Sequence, residues 1–239
     1  MNKIHTFLFC ISFLLFFGIH ESFAQNDSLV YKERYGASFG VDLFKLSRTA
    51  FDDNYSGFEI NGDYRFKENL YLAGEIGNDQ YTFDEENLVV DSNGSYIKLG
   101  ANINFYKNWI GMQNQIYGGF RVGLSSYSQT LKSFNFYTTE NTFEPDTQVI
   151  NREFNNLSAV WGEFQFGLKV ELLKNVYAGV HVQLKVLVSE TELQNFDNIF
   201  IPGFNITNDF SSIGAGWGYS LSYLIPLKTE RRTQAINPQ

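Results

Sequence analysis

The sequence predicts an all-β protein: an eight-stranded antiparallel up-and-down transmembrane β-barrel with a filled polar lumen. Three observations predict it. Apolar and polar residues alternate in eight separate segments, aromatic residues are abundant while charges are few, and short and long connections follow one another in turn. Charged residues make up 18% of the chain and aromatic residues 17%, against about 25% charge in ordinary soluble domains. This composition suits strands that face an apolar phase.

The alternation has a period of two, which is typical of β-strands rather than helices. In the second segment, for example, Phe58, Ile60 and Tyr64 share one face, whereas Glu59 and Asp63 share the other. Most segments are long enough for the ~10 tilted residues of a membrane-crossing strand. The eight predicted strands lie at residues 37–43, 58–66, 70–77, 97–105, 116–124, 160–170, 176–186 and 213–225.

The connections differ on the two sides of the predicted barrel. The turns after the second, fourth and sixth strands are short, and each contains a lysine and an asparagine: residues 67–69, 107–108 and 174–175. The connections after the other strands are long and polar, and the longest runs from about residue 126 to residue 156. Short turns on one side and long loops on the other are typical of outer-membrane barrels, with both termini in the periplasm.

The N-terminus has the pattern of a secretory signal peptide. Lys3 provides the positive charge, residues 7–18 form an apolar run too short to span a bilayer as a helix, and Ala24 ends a small-residue cleavage pattern. An N-terminal membrane anchor is the alternative. Cys10, the one cysteine, lies in this segment, so we predict a mature chain without disulfides. The predicted organisation is a signal peptide at 1–24, a periplasmic segment at 25–34, the barrel at 35–227 and a polar periplasmic tail at 228–239.

Alternation by itself does not separate a membrane barrel from a soluble one, because a lipocalin-like barrel would alternate in the same way and bury its apolar face. Here the polar face is rich in Gly, Ser, Asn and Tyr, and its charges nearly cancel, with six acids against five bases. Such a balance indicates an enclosed lumen in which each ion needs a partner. Eight strands enclose a space that side chains fill, so we predict a packed core. The predicted lumen charge network is Asp42, Glu59, Asp63, Arg65, Glu75, Lys98, Arg121, Glu163, Lys169, Glu171, His181 and Lys185.

This layout resembles the small eight-stranded outer-membrane barrels, namely the OmpX type and the transmembrane domain of OmpA, over nearly the whole mature chain. It is also similar to uncharacterised barrel families of Bacteroidota-type bacteria that are rich in Asn, Phe and Tyr. The resemblance implies a Gram-negative outer-membrane protein that contacts outer-membrane lipid and lipopolysaccharide and is recognised by the barrel-assembly machinery. Such barrels often end in an aromatic residue, whereas here a polar tail follows residues 223–227.

The candidates for chemistry are few. His5 and His20 lie in the predicted signal peptide, which leaves His181 on the inward face in mid-strand, where a substrate has no access. We therefore predict no enzyme: no catalytic residue, no cofactor and no metal centre. A lipid-modifying enzyme with a site at the rim, using His181, and a narrow channel are the alternatives. The net charge of −8 argues against a nucleic-acid partner.

Two loop segments have patterns of their own. Residues 52–57 resemble the start of a calcium loop with Asp63 as the final ligand, but the strand pattern that follows carries Asp63 into the barrel and favours a plain acidic turn. The last long connection contains a candidate interaction patch, and packing over the barrel mouth is the alternative. We therefore expect a structural or surface-interaction role through the loops, toward an extracellular ligand that the sequence does not identify. The candidate patch is Phe196, Ile199, Phe200, Ile201, Phe204 and Ile206.

Overall fold

The computed structural model describes residues 29–108, 112–135, 147–208 and 210–234. The predicted signal peptide lies outside these residues. The chain divides into two units: one is Lys32–Glu230, which contains most of every barrel strand, and the other consists of Met1–Tyr31 and Arg231–Gln239. No helix among the described residues is long and apolar enough to cross a membrane.

Long antiparallel strands dominate the described residues. The elements are β1 (Leu29–Asp42), α1 (Leu43–Phe51), β2 (Tyr55–Arg65), β3 (Leu70–Glu85), β4 (Leu88–Asn104), β5 (Gln115–Asn135), β6 (Thr147–Leu173), β7 (Val176–Glu190), β8 (Phe200–Ile201), β9 (Asn205–Ile206) and β10 (Ile213–Gln234). Eight of these strands close into a barrel in the order β1-β10-β7-β6-β5-β4-β3-β2, and β8 pairs with β9 alone. The predicted all-β, eight-stranded antiparallel barrel is confirmed.

The two ends of the barrel are named here by their connections. The turn end carries the β2–β3, β4–β5 and β6–β7 connections, and the loop end carries α1 and the remaining connections. Strands β3 to β6 extend further toward the loop end than the alternation predicts, so only residues 86 and 87 join β3 to β4. In these extensions both faces carry many polar residues, so an alternation of apolar and polar residues does not reveal the strands.

Boundaries at both termini and at α1 also differ from the prediction. Strand β1 begins at Leu29, so residues 29–34 of the predicted periplasmic segment belong to the first strand. Leu43, predicted as the end of the first strand, is the first residue of α1. The carboxylate of Asp42 accepts a hydrogen bond from the Lys45 main-chain N–H at 2.9 Å, which caps the helix. At the other terminus β10 runs on to Gln234, so residues 228–234 of the predicted tail continue the last strand.

The two faces of the barrel have the predicted polarity. Apolar side chains point outward and remain half exposed, as in Phe166 (54%) and Val182 (55%), whereas polar and charged side chains point inward and are buried. We call the outward set the apolar belt. It includes Phe39, Ile60, Leu72, Ile76, Leu99, Ile103, Phe120, Val122, Phe164, Phe166, Val180, Val182, Leu184, Trp217 and Tyr223.

Candidate functional site

The middle of the lumen is built around Lys98, which is 2% exposed. Its Nζ lies 2.6 Å from a carboxylate oxygen of Glu75, 3.2 Å from Glu59 and 3.8 Å from Glu163. Alternation along β2, β3, β4 and β6 turns all four side chains inward. Because a buried charge without a partner costs several kcal/mol, Lys98 and its carboxylates depend on one another.

Arg121 and Gln165 donate further hydrogen bonds to these carboxylates. Arg121 Nε donates to Glu75 Oε1 at 3.3 Å. The amide nitrogen of Gln165 donates to Glu75 at 3.0 Å and to Glu163 at 2.6 Å. The middle of the lumen is therefore one connected polar network contributed by five strands, and such a network resists local rearrangement.

A second group of ion pairs lies toward the turn end. Arg34 Nη2 donates to both carboxylate oxygens of Glu171, at 2.7 and 2.8 Å, in a bidentate pair. The ammonium group of Lys169 pairs with Asp63 and also donates to the Ser38 hydroxyl at 2.8 Å. These contacts tie β1, β2 and β6 together across the inside of the barrel.

Three predicted members of the charge network have other partners. Asp42 caps α1, Arg65 forms an ion pair with Glu33 at 3.5 Å, and His181 Nε2 lies 2.8 Å from the Gln183 amide nitrogen. The structure thus places His181 in the lumen wall beside an amide.

The acidic turn does not assemble a calcium loop. Asp52 is the C-cap of α1 and its side chain pairs with Arg48 at 2.9 Å, while β2 begins at Tyr55. Asp63 lies far along β2 and pairs with Lys169. Among the described residues, no group of three or more His, Cys, Asp or Glu side chains is arranged to hold a metal ion.

The last long connection folds back into the loop end of the barrel. Residues 200–206, here called the plug, form the β8–β9 hairpin, and Phe200, Ile201 and Phe204 are almost fully buried. Phe204 contacts the Trp161 ring edge to face, with ring centroids 6.1 Å apart. The apolar core at the barrel mouth consists of Tyr96, Tyr127, Leu157, Ala159, Trp161, Ile201 and Phe204.

A polar contact holds the tip of the plug. The Gly203 N–H donates to Asp79 Oδ2 at 2.9 Å, and Asp79 also accepts from Lys45 Nζ at 2.7 Å and from the Tyr55 hydroxyl at 2.6 Å. Lys185 Nζ donates to the Gly203 carbonyl at 2.8 Å. We call Asp79 and these partners the latch, because they join the plug to β2, β3, β7 and α1.

Gly203 suits this position for two reasons. Its φ is +81°, a conformation that residues with a side chain rarely adopt. A Cβ atom on Gly203 would lie 2.6 Å from the Tyr96 ring and 3.0 Å from Trp161. The tip of the plug therefore reaches the aromatic core only with glycine at this position.

The six residues of the candidate interaction patch do not form one exposed surface. Phe200, Ile201 and Phe204 are buried in the mouth, where they gain more apolar contact than a water-exposed loop offers. Phe196 is stacked on Phe154, with ring centroids 5.5 Å apart, and Ile206 is 51% exposed. For Phe200, Ile201 and Phe204 the structure agrees with the alternative, packing over the barrel mouth, and the prediction of an exposed patch is wrong for these three residues.

The network contains residues that the sequence pattern missed. Asp79 lies on the same face of β3 as Glu75, as the period-two spacing indicates, but the predicted third strand ended two residues before it. Arg34 likewise continues the inward face of β1 before the predicted start. Lys45 reaches the lumen from a helix, where a period of two carries no information.

One loop pocket lies outside the apolar belt. It has a volume of about 470 Å³ and is lined by Glu190, Glu192, Asp197 and Asn198 among others. Burial raises the pKa of Glu190, and the neighbouring Asp197 carboxylate raises it further, while a hydrogen bond from Asn198 acts in the opposite direction. The pocket is therefore acidic, with one carboxyl that holds its proton more tightly than usual.

The closed ring, the apolar belt and the filled lumen define the class: a small eight-stranded antiparallel β-barrel with a packed polar interior and a plugged mouth. The chain belongs to the DUF6048 family, a domain of unknown function, whose model matches residues 1–230.

Two solved structures are similar to this chain at low identity. One is Ail, the attachment invasion locus protein of Yersinia pestis, with 11% identity, 84% of this chain and 99% of that chain covered, and a TM-score of 0.36. The other is Neisserial surface protein A, with 9% identity, 83% and 99% covered, and a TM-score of 0.40. No curated protein matches the chain in sequence.

Proposed function

We propose that this protein is an integral outer-membrane β-barrel without enzymatic activity, which is anchored by its belt and has a structural or surface-interaction role through its loop end. The observation that carries the proposal is the apolar belt on a closed ring. Outer-membrane lipid and lipopolysaccharide would cover the belt, and the barrel-assembly machinery would insert it. The extracellular ligand is left open.

The belt supports membrane placement on energetic grounds. Burying apolar surface is favourable by about 25 cal/mol per Å², and the belt runs around the whole barrel with its side chains about half exposed. A monomer in water rarely exposes so much contiguous apolar surface. Closure supports the same placement, because a strand edge facing hydrocarbon would leave main-chain groups without hydrogen bonds.

The lumen supports a role other than transport. A cavity beside Glu75 and His181 has a volume of only about 50 Å³, and another near Arg34 has about 20 Å³. Such volumes hold a few water molecules. Lys98, Arg121 and their carboxylates cross the space between these cavities and the plug, so an open path through the barrel would require the network to come apart.

The loop end offers a large surface for interaction. Beyond the belt, the extensions of β3 to β6 form a sheet that we call the fin, at residues 80–85, 88–93, 128–135 and 147–156. Val149 on the fin is 71% exposed. Loops and extensions on a rigid scaffold are where binding surfaces are most often found.

Single-cysteine labelling tests membrane placement and orientation. The sequence has one cysteine, Cys10, in the predicted signal peptide. We expect a membrane-impermeant maleimide to label Lys132→Cys at the loop end in intact cells, and to label Lys174→Cys at the turn end only after the outer membrane is opened. The unboiled protein should also migrate differently from the boiled protein on electrophoresis. Equal labelling of both variants, or a soluble periplasmic protein, would contradict the proposal.

Shortening the fin tests the interaction role separately. Ser133 pairs with Val149, so replacing residues 133–149 by an Asn-Gly turn keeps the strand register below. We expect this variant to retain the heat-dependent mobility shift but to lose the phenotype that distinguishes wild-type cells from a deletion strain. Full complementation by the short-fin variant would remove the interaction role and leave a structural one.

A further inference from the structure

The two ends of the barrel differ in their exposed charges. At the loop end most exposed charged residues of the described chain are acids, and the two exposed bases have partners there. Lys132 pairs with Asp91, and Arg152 donates to the Gln194 carbonyl at 3.4 Å. The exposed loop-end acids include Asp84, Glu85, Glu86, Glu153, Glu192 and Asp197.

Exposed lysines recur around the turn end. The β2–β3, β4–β5 and β6–β7 turns contain Lys67, Lys107 and Lys174, and β10 continues past the turn end with Lys228. All four side chains are exposed. Because these strands follow one another around the closed ring, the four lysines are spread over its whole circumference. We call them the rim lysines.

Each rim lysine follows an exposed apolar residue by one or two positions. Phe66, for example, is 57% exposed and directly precedes Lys67, whose ammonium group lies 5.9 Å from the centre of the Phe66 ring. The apolar residues before the other three rim lysines are Phe105, Leu173 and Leu227, which are 64%, 70% and 68% exposed.

This spacing places the rim lysines at the edge of the apolar belt. A strand rises about 3.3 Å per residue and is tilted by about 45° in a membrane barrel, so one or two residues carry the chain at most about 5 Å past the last apolar side chain. The headgroup layer of a bilayer is about 5–7 Å thick on each side. In a membrane, the rim lysines would therefore lie at the level of the headgroups.

Two of the rim lysines have no carboxylate partner in the protein. The ion pairs of the described residues at the turn end do not include Lys107 or Lys174. Glu171, three residues before Lys174, is already bound by Arg34 through both of its oxygens. Lys228, in contrast, pairs with Glu230 at 2.6 Å. Lys107 and Lys174 are therefore the two rim lysines with most charge left for an external anion.

We propose that the rim lysines bind the anionic headgroups of phospholipids in the inner leaflet of the outer membrane, with Lys107 and Lys174 as the strongest contacts. A lysine carries its charge on a flexible apolar stem, so the stem lies along the belt edge while the ammonium group reaches a phosphate. Positions spread around the circumference cannot meet in one compact ligand, whereas a shell of lipids surrounds the whole barrel. The inference rests on the proposed membrane placement and names the lipid class at the turn end.

Fluorescence quenching by brominated lipids tests the contact, because it measures which lipid lies beside a chosen residue. The reporter is a bimane on Leu173→Cys, next to Lys174, in vesicles that contain phosphatidylcholine and phosphatidylglycerol in both leaflets. With equal leaflets, any selectivity comes from the protein. We expect phosphatidylglycerol to bind beside the reporter about fivefold more strongly than phosphatidylcholine, the effect of roughly 1 kcal/mol per lysine near a charged surface. Lys107→Gln with Lys174→Gln should bring this ratio close to one.

The matched control is a bimane on Val188→Cys, which is 71% exposed on β7 near the loop end. The acids of the loop end repel anionic lipid, so the ratio there should be one or lower, with or without the two glutamine substitutions. Equal binding of the two lipids beside Leu173, or a fivefold ratio that survives Lys107→Gln with Lys174→Gln, would overturn the proposal.

Two further outcomes separate the proposal from its neighbours. If neither brominated lipid quenches either reporter, the belt does not lie in the bilayer and the membrane placement itself is contradicted. If the ratio beside Leu173 is one, while the wild-type protein sediments with purified peptidoglycan and Lys107→Gln with Lys174→Gln does not, the lysines bind that anionic polymer and the lipid contact is wrong.

Discussion

Replacing Lys98 by methionine is expected to destabilise the barrel by about 3–5 kcal/mol, the cost of removing one partner from a buried ion pair. Methionine fills a similar volume but leaves Glu59, Glu75 and Glu163 without the cation they share. Arg121 remains bound to Glu75, so the loss falls mainly on the other two carboxylates. The measurement is the urea midpoint of unfolding in detergent micelles, which falls in proportion to the free energy lost.

Two comparisons isolate the cause. Lys132→Met removes an exposed lysine that pairs with Asp91 at the loop end, and exposed pairs contribute little, so its midpoint should stay near that of the wild type. Adding Glu59→Gln to Lys98→Met should recover part of the loss, because it removes one unpaired charge. A Lys98→Met protein that unfolds at the wild-type urea concentration would show that the lumen network does not stabilise the barrel.

Replacing Asp79 by asparagine is expected to release the plug. Asparagine keeps the size of the side chain but removes the charge that binds Lys45. The Tyr55 hydroxyl and the Gly203 N–H donate to different oxygens of Asp79, so one of them keeps a neutral acceptor and the other faces the amide nitrogen of asparagine. A buried hydrogen-bonded charge is worth about 3 kcal/mol, which corresponds to roughly 100-fold more frequent opening. Hydrogen exchange measured on the plug amides should accelerate by about that factor.

The control for this variant is Asp91→Asn, which removes a loop-end carboxylate that does not touch the plug. Its plug amides should exchange at the wild-type rate. Amides in β5 and β6 below the mouth should remain protected in Asp79→Asn, because the latch joins the plug to β2, β3, β7 and α1 and does not involve β5 or β6. Unchanged exchange of residues 200–206 in Asp79→Asn would show that the contacts of Asp79 do not hold the plug.

The inward charges were predictable in kind but not in pairing. Alternation alone assigns Glu59, Glu75, Lys98 and Glu163 to the lumen, since a side chain in a strand has only two directions available. The distances that make Lys98 the centre of three carboxylates depend on the register of β2, β3 and β4 and on the barrel closure that brings Glu163 of β6 to the same place. The pattern along a single strand contains no information about register or about closure of the barrel.

The helix and the plug show the same limit. Residues 43–51 include five apolar residues without a period-two alternation, and their place as a helix beside β2 depends on β1 ending at Asp42. The apolar residues 200–206 were visible as a cluster, but whether such a cluster stays exposed or turns inward depends on the space that the Tyr96 and Trp161 rings leave at the mouth.

The sequence by itself determined the architecture: eight strands, their inward and outward faces, and the excess of polar side chains in the lumen. These follow from a local rule, the period of two, which each strand obeys independently. Only the tertiary structure decided which charges meet, that a helix replaces the end of β1, and that the last loop fills the mouth. Each of these depends on contacts between residues distant in the chain, and such contacts exist only once the barrel has closed.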